Sequence, residues 1–281
     1  MAKNTLFLSL LKLRFLNLFH KKIFKINKNL DCQNKEIWHG KYTNWEDALS
    51  FSSGYQESTI LEKCFESLLK VKNGEAVYER DSVLFEKKEY SIGLLSSLFY
   101  VALSSFGKVS VLDFGGSFGT SYFQNKEFLT LFNQCKWGVV EQSQFFNKGK
   151  TNFKDETLDF YLTIDECIKG ISPNVFFASG SIQYIKDPLN LLMKINDSNI
   201  KFLIFDRISF SESDCFITIQ NVPTEIYDAS YPCWILNYNW FIETLSNYNV
   251  VFEFPSFCDP DYVINNNVLV KWRGIMLELK K

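Results

Sequence analysis

The sequence predicts an α/β protein, with a mostly parallel sheet covered by helices on both faces, an antiparallel C-terminal hairpin and a helical N-terminal extension. Three observations carry this. From residue 91 onward, short β-branched or aromatic runs alternate with helical stretches, as strand–helix–strand crossovers require. Val250–Phe254 and Val268–Leu279 follow one another with only a loop between them, which suits a hairpin at a sheet edge. Between them in importance stands a glycine-rich turn, Gly115-Gly116-Ser117-Phe118-Gly119, directly after a strand-like run. Open α/β sheets bind their ligands at such strand ends.

Residues 1–35 read as a basic, apolar helix. Leu6–Phe19 is largely apolar, and Lys3, Lys12, Arg14, Lys21, Lys22, Lys25 and Lys28 face no acidic residue. Ser9, Lys12, Arg14 and Asn17 interrupt the run, leaving it short of the ~20 apolar residues of a membrane span. Lys12 and Arg14 also split it too early for a secretory signal. The segment suits peripheral contact with anionic lipid, or packing on its own domain or a neighbouring subunit.

Residues 36–90 are expected to form a helical cap. Asn44 is an N-cap with Asp47 at the third helical position, and Ser53-Gly54 should end that helix. Ile60, Leu61, Cys64, Leu68 and Leu69 give a second helix, Glu57–Val71, closed by Asn73-Gly74. The sheet domain then spans residues 91–281. Its strands are Val109–Phe114, Trp137–Glu141, Leu158–Leu162, Val175–Ala178 and Phe202–Asp206, and its helices Leu94–Ser105, Tyr122–Gln134 and Leu189–Ile195.

Composition narrows the function. Hydrophobic residues make up 46% and charged residues 22% of the 281, with 28 Phe and 13 Tyr to fill a core. A net charge of -2 argues against nucleic acid held by bulk electrostatics. Seven cysteines without a CxxC pair point to free thiols and a cytoplasmic protein, not to disulfides or zinc. The only histidines, His20 and His39, suggest no metal site.

Val111–Gln124 (VLDFGGSFGTSYFQ) lacks the GxGxxG spacing of a dinucleotide site. It resembles the DxGxGxG turn of class I S-adenosylmethionine-dependent methyltransferases, with Ser117 in place of the middle glycine. Asp113, Gly115, Gly116, Ser117 and Gly119 are the cofactor-binding candidates there. Glu141, twenty-two residues past Gly119 and followed by Gln142, can accept hydrogen bonds from both ribose hydroxyls. Phe176–Pro188 resembles the fourth strand and following loop of these Rossmann-like enzymes, adding Ser179 and Gln183 on the cofactor side and Tyr184 on the acceptor side. Phe202–Phe210 places Asp206 and Arg207 at the end of the fifth strand, with Asp206 the first candidate for a base and Glu79 or Asp81 the second.

The resemblance goes further than this class. WxGxYxxWExA (Trp38–Ala48), Gly54-Tyr55, YERDSV (Tyr78–Val83), LDFGGSFG, VVEQ (Val139–Gln142), Gln183-Tyr184, FDR (Phe205–Arg207) and YDASYPCW (Tyr227–Trp234) are similar to motifs of a methyltransferase family found among bacterial surface-polysaccharide biosynthesis proteins. The resemblance covers about residues 36–281 and implies S-adenosylmethionine as cofactor and a sugar or glycan intermediate as acceptor. Trp38, Tyr42, Tyr78, Glu79, Arg80, Asp81, Tyr184, Tyr231 and Trp234 are the acceptor-side candidates, with Tyr227–Trp234 expected as a lid over the pocket. With four arginines against twenty-six lysines, Arg80 and Arg207 mark places where a planar guanidinium matters. That role is either substrate binding or an ion-pair clamp. A non-catalytic binding or assembly subunit is the alternative for the whole chain.

Overall fold

A computed structural model describes residues 37–53, 57–222, 226, 229–264 and 268–281. The basic helix expected over residues 1–35 and the turn residue Gly54 lie outside them. Trp38–Lys281 forms one compact unit. No helix among the described residues is long and apolar enough to cross a membrane.

In chain order the elements begin with β1 (Trp38–Tyr42), α1 (Trp45–Ser50), α2 (Glu57–Lys72), β2 (Tyr78–Arg80), β3 (Val83–Phe85) and α3 (Ile92–Ser104). The sheet domain continues with β4 (Lys108–Phe114), α4 (Thr120–Leu129), β5 (Gln134–Val140), α5 (Ser143–Asn152), β6 (Leu158–Tyr161), α6 (Ile164–Ile171) and β7 (Val175–Ser179). After a 3-10 turn at Ile182–Tyr184 come α7 (Pro188–Asn196), β8 (Phe202–Ser211), β9 (Phe216–Asn221), β10 (Ser230–Asn237), α8 (Tyr238–Thr244), β11 (Tyr248–Pro255), β12 (Tyr262–Ile264) and β13 (Val268–Leu279).

Local chemistry sets many of these boundaries. Asn44 caps α1 by accepting from the Asp47 N–H, Ser91 caps α3 through Leu94, and Thr163 caps α6 through Glu166. Asp187 caps α7, with Pro188 in the first turn where its missing N–H is harmless. The helix expected to run to Gln134 stops at Leu129, and Gln134 already belongs to β5.

β6, β5, β4, β7 and β8 are parallel neighbours in that order, and β13 inserts antiparallel between β8 and β11. This is a Rossmann-like sheet, mostly parallel with an antiparallel C-terminal hairpin. Strand alternation fills a core on each face. Val109, Val111, Val175, Phe177, Phe202 and Ile204 face one cluster, with Leu61, Leu94 and Leu98. Leu112, Phe176, Ala178, Leu203 and Phe205 face the other, with Ile164, Leu191 and Phe241. Each fully buried Leu or Phe contributes roughly 1.5–3 kcal/mol.

Two further expectations change. Residues 36–90 do not form a purely helical cap: β1 pairs antiparallel with β9 and joins the main sheet, and β2 and β3 form a hairpin. Residues 230–234 are not a loop lid either, because Ser230–Asn237 is strand β10, antiparallel to β9. β10 also meets the far end of β8, at Phe210 and Ser211. The β1–β9–β10 layer thereby extends the sheet beyond the carboxyl end of β7.

Candidate functional site

The strand order reverses at β4, whose chain successor β5 lies on one side and β7 on the other. A crevice at such a reversal, outside the carboxyl strand ends, is where open α/β sheets take ligands. Two turns border it. In the first, Gly115, Ser117 and Gly119 have left-handed φ values of 70°, 54° and 96°. A Cβ on Gly115 would come within 2.6 Å of Ser181 in the second turn, and one on Gly116 within 2.3 Å of the Asp113 carboxylate. Both glycines are therefore required by close approach.

Ser117 has no such freedom, and its left-handed backbone is strained by roughly 1–2 kcal/mol. Glu141 holds it there. Glu141 Oε1 accepts from the Ser117 N–H at 3.0 Å, and Oε2 accepts from the Gln142 N–H at 2.9 Å. Each oxygen keeps a lone pair for a further donor, so the carboxylate can still take two neighbouring hydroxyls. Burial, partly offset by those two amides, pushes the Glu141 carboxyl up to about 7.

Asp113 is placed differently from expectation. It is buried beneath the turn and accepts from the Trp137 indole N–H at 2.8 Å. Burial lifts its carboxyl to about 7. It supports Gly116 from below and does not face the crevice.

The second turn follows Ser179. The Gly180 N–H donates to the Asp206 carbonyl at 3.0 Å, and Ser181 Oγ donates to the Phe114 carbonyl at 2.8 Å. Gln183 is fully buried and donates through Nε2 to the Arg207 carbonyl at 2.9 Å. Its Oε1 is buried and has no hydrogen-bond partner among the described residues.

The Tyr78–Asp81 segment does reach this end of the sheet. Asp81 and Ser82, at φ 51° and 68°, make the tight two-residue turn between β2 and β3. Glu79 is buried, accepts from the Thr120 hydroxyl and takes the Ser82 N–H at 3.2 Å. Thr120 is the residue after Gly119, so the hairpin is tied to the glycine turn. Burial, opposed by the Thr120 bond, raises the Glu79 carboxyl to about 7. Tyr78 points into the core and accepts from Gln124 Nε2 at 3.1 Å, which removes it from the acceptor side. Arg80 pairs with Glu89 at 2.8 Å and lies over the Phe85 and Phe257 rings.

Asp206 and Arg207 do not end the fifth strand: β8 continues to Ser211, paired with β13 and β10. Phe205 pairs with Ile275 and Ile208 with Arg273, so Asp206 and Arg207 together oppose Gly274 as a bulge. The bulge, with Arg207 at φ 56°, redirects the guanidinium. It forms two ion pairs, with Asp81 and with Asp259, each at 2.8 Å. Burial disfavours its charge, but the two carboxylates outweigh that and hold it firmly protonated. Asp206 is 1% exposed and accepts from its neighbour's N–H at 2.8 Å. Burial lifts it to about 6, against the Ser91 hydroxyl and Arg207. The expected base is thus enclosed.

The aromatic candidates divide between two faces. The Tyr184 hydroxyl donates to Gln220 Oε1 at 2.7 Å, and its ring meets Tyr231 edge-on at 5.3 Å. Gln220 pairs across the sheet with both Trp38 and Tyr231, so these residues share one wall. Trp38 stacks on Tyr262 at 5.4 Å and approaches Trp272 at 5.9 Å. Tyr42 and Trp234 lie on the opposite face, packed with Ile217, Ile219 and Ala48 beneath α1. Neither joins that wall: Trp234 is an odd three residues from Tyr231 along an alternating strand, and a register shift between His39 and Tyr42 separates Tyr42 from Trp38. Sequence reasoning missed Thr120, Gln220, Asp259, Tyr262 and Trp272, which come together only through the fold.

No protein-family model matches the chain, and neither does any curated protein. Solved structures similar to it include an S-adenosylmethionine-dependent methyltransferase from Clostridium acetobutylicum, at 11% identity and TM-score 0.38, covering 66% of this chain and 91% of that one. The N-terminal domain of EvdMO1, crystallised in the presence of SAH and D-fucose, matches at 10% identity and TM-score 0.44, covering 80% and 97%. Human N-acetylserotonin methyltransferase in complex with SAM matches at 14% and 0.41, covering 68% and 52%.

Proposed function

We propose that the chain is an S-adenosylmethionine-dependent methyltransferase acting on a hydroxyl of a sugar or glycan intermediate, of the kind built into surface polysaccharide. The observation that carries this is the bond between Glu141 and the strained Ser117 amide at the reversal point of the sheet. That bond sets a carboxylate with spare acceptor capacity beside backbone that a ligand can approach closely. Glu141 takes the ribose diol, and the backbone of the 115–119 turn passes along the ligand.

When bound, the cofactor supplies a methyl group on a sulfonium, open to in-line attack. The chain's share is positioning, which alone supplies much of the rate in such transfers. Trp38, Tyr184 and Tyr231 offer aromatic surface to an acceptor ring, and the two tyrosines add hydroxyl groups. With Asp206 enclosed, Asp81 at the hairpin tip is the carboxylate left to receive the acceptor's proton; its side chain is 55% exposed.

Calorimetry tests the reading. S-adenosylmethionine and S-adenosylhomocysteine should bind, and NAD and UDP-glucose should not. Binding of NAD alone would overturn it. The enclosure of Asp206 favours a second reading, a non-catalytic binding or assembly subunit. Cofactor binding without methyl transfer to any member of a panel of sugar acceptors would support that reading instead.

A further inference from the structure

Four carboxyls lie at this end of the sheet: Asp113, Asp206 and Glu79 are buried, and Glu141 is half-buried. Three have assignments. Asp113 is covered by Gly116 and bonded to Trp137. Asp206 is bonded to its neighbour's amide beside the Arg207 charge. Glu141 holds the Ser117 amide and suits a neutral diol. Glu79 remains.

Glu79 is 3% exposed, and no Lys or Arg among the described residues forms an ion pair with it. Its neighbour Asp81 has Arg207. A buried carboxylate without a cation is costly, several kcal/mol per ion after relaxation. Its two bonds, to Thr120 and Ser82, leave part of its acceptor capacity unused. Its place relative to the crevice is fixed by Thr120, which opens α4 directly after the glycine turn. Burial raises the Cys64 thiol, and the negative charges of Glu79, Asp81 and Glu141 add to that rise.

We propose that Glu79 binds the ammonium group at the amino-acid end of the cofactor, so that the hairpin carrying it forms part of the cofactor site. The inference rests on the reading of the glycine turn given above. A donor-bearing cation is the complement of a buried carboxylate with free lone pairs, and an ammonium carries three such donors. A sulfonium has none, which is why the amino group and not the sulfur is the partner. Glu141 and Glu79 then bracket the turn, one at Ser117 for the ribose and one at Thr120 for the amino acid.

The test is calorimetry on the full chain with three ligands: S-adenosylmethionine, S-adenosylhomocysteine and 5′-methylthioadenosine, which lacks the amino acid. Glu79→Gln should weaken the first two by about tenfold to a hundredfold, as expected for a lost charge-assisted hydrogen bond. It should leave the third within about twofold. Equal weakening of all three would make Glu79 a structural clamp, and weakening of S-adenosylmethionine alone would place it at the sulfonium; either overturns the proposal. Thr120→Val, which removes the clamp and keeps the charge, should not reproduce the ligand-selective loss. Failure of the unmodified chain to bind any of the three would instead refute the cofactor reading itself.

Discussion

Arg207 and Asp81, 126 residues apart, meet through two guanidinium nitrogens and two carboxylate oxygens, at 2.8 and 3.3 Å. The same guanidinium takes Asp259 at 2.8 and 3.3 Å. One side chain on the β8 bulge thus fastens the β2–β3 hairpin and the segment after β11 to the sheet. Removing it leaves Asp259, which is largely buried, without its cation. Arg207→Ala should lower unfolding free energy by about 3–5 kcal/mol, the range for breaking a buried pair. Asp81→Ala, on the exposed side of the clamp, should stay near the ~1 kcal/mol of a surface pair. Urea denaturation of both variants checks the order, and equal losses would contradict it.

Glu141→Ala should weaken S-adenosylhomocysteine by about 1–3 kcal/mol, because a charged acceptor is lost from the diol. It should also free Ser117 from its left-handed constraint. Faster amide exchange at Ser117 with unchanged ligand affinity would leave the structural role standing and remove the ribose from this position.

Much of the architecture was legible in the sequence. The glycine turn, the acid ending the second parallel strand and the late antiparallel pair are local patterns whose meaning survives without tertiary context. What stayed hidden depends on pairing. Phe202–Asp206 reads as a complete strand, yet β13 and β10 extend it to Ser211 and turn its expected end into a bulge. Tyr42 and Trp38 share a motif, but the register shift between His39 and Tyr42 accompanies their separation onto opposite faces. The Tyr227–Trp234 run has the aromatic content of a lid, and only its ladder with β9 shows that Ser230 onward is strand. Asp259 carries no sequence signal, since its partner lies 52 residues away.

Stability should depend on pH in a definite direction. Burial raises the folded-state carboxyls of Glu79, Asp113 and Glu141 to about 7 and Asp206 to about 6. Unfolding releases them to the ordinary carboxylate range near 4. The folded state therefore binds more protons between about pH 4 and 7, and stability falls as pH rises through that window. The melting midpoint should be higher at pH 5 than at pH 8, and Glu141→Gln should flatten the slope. A midpoint that rises with pH in this window would refute the burial argument.

Residues 1–36 should be dispensable for folding of the remainder, because Trp38–Lys281 is a compact unit with its own two-sided core. A chain beginning at residue 37 should keep its cooperative melting transition. Loss of that transition would assign the basic segment to the core.

The acceptor side gives the last prediction, and it rests on which face of the β1–β9–β10 layer a residue occupies. Tyr231 lies with Tyr184, Gln220 and Trp38, while Trp234, three residues on, lies beneath α1 with Ile217 and Ile219. The two aromatics share a motif and a strand, so only their facing separates them. Tyr231→Ala should raise the acceptor KM several-fold with little change in cofactor affinity or melting, since it removes one wall of a ring-binding surface. Trp234→Ala should act in the opposite way. Opening a cavity in the packed face should cost about 3–5 kcal/mol, with an acceptor KM near that of the unmodified protein once folding is restored at lower temperature. Steady-state kinetics and thermal melting on both variants decide it. If Trp234→Ala raises KM and leaves stability unchanged, the acceptor binds on the α1 side and the wall is assigned to the wrong face.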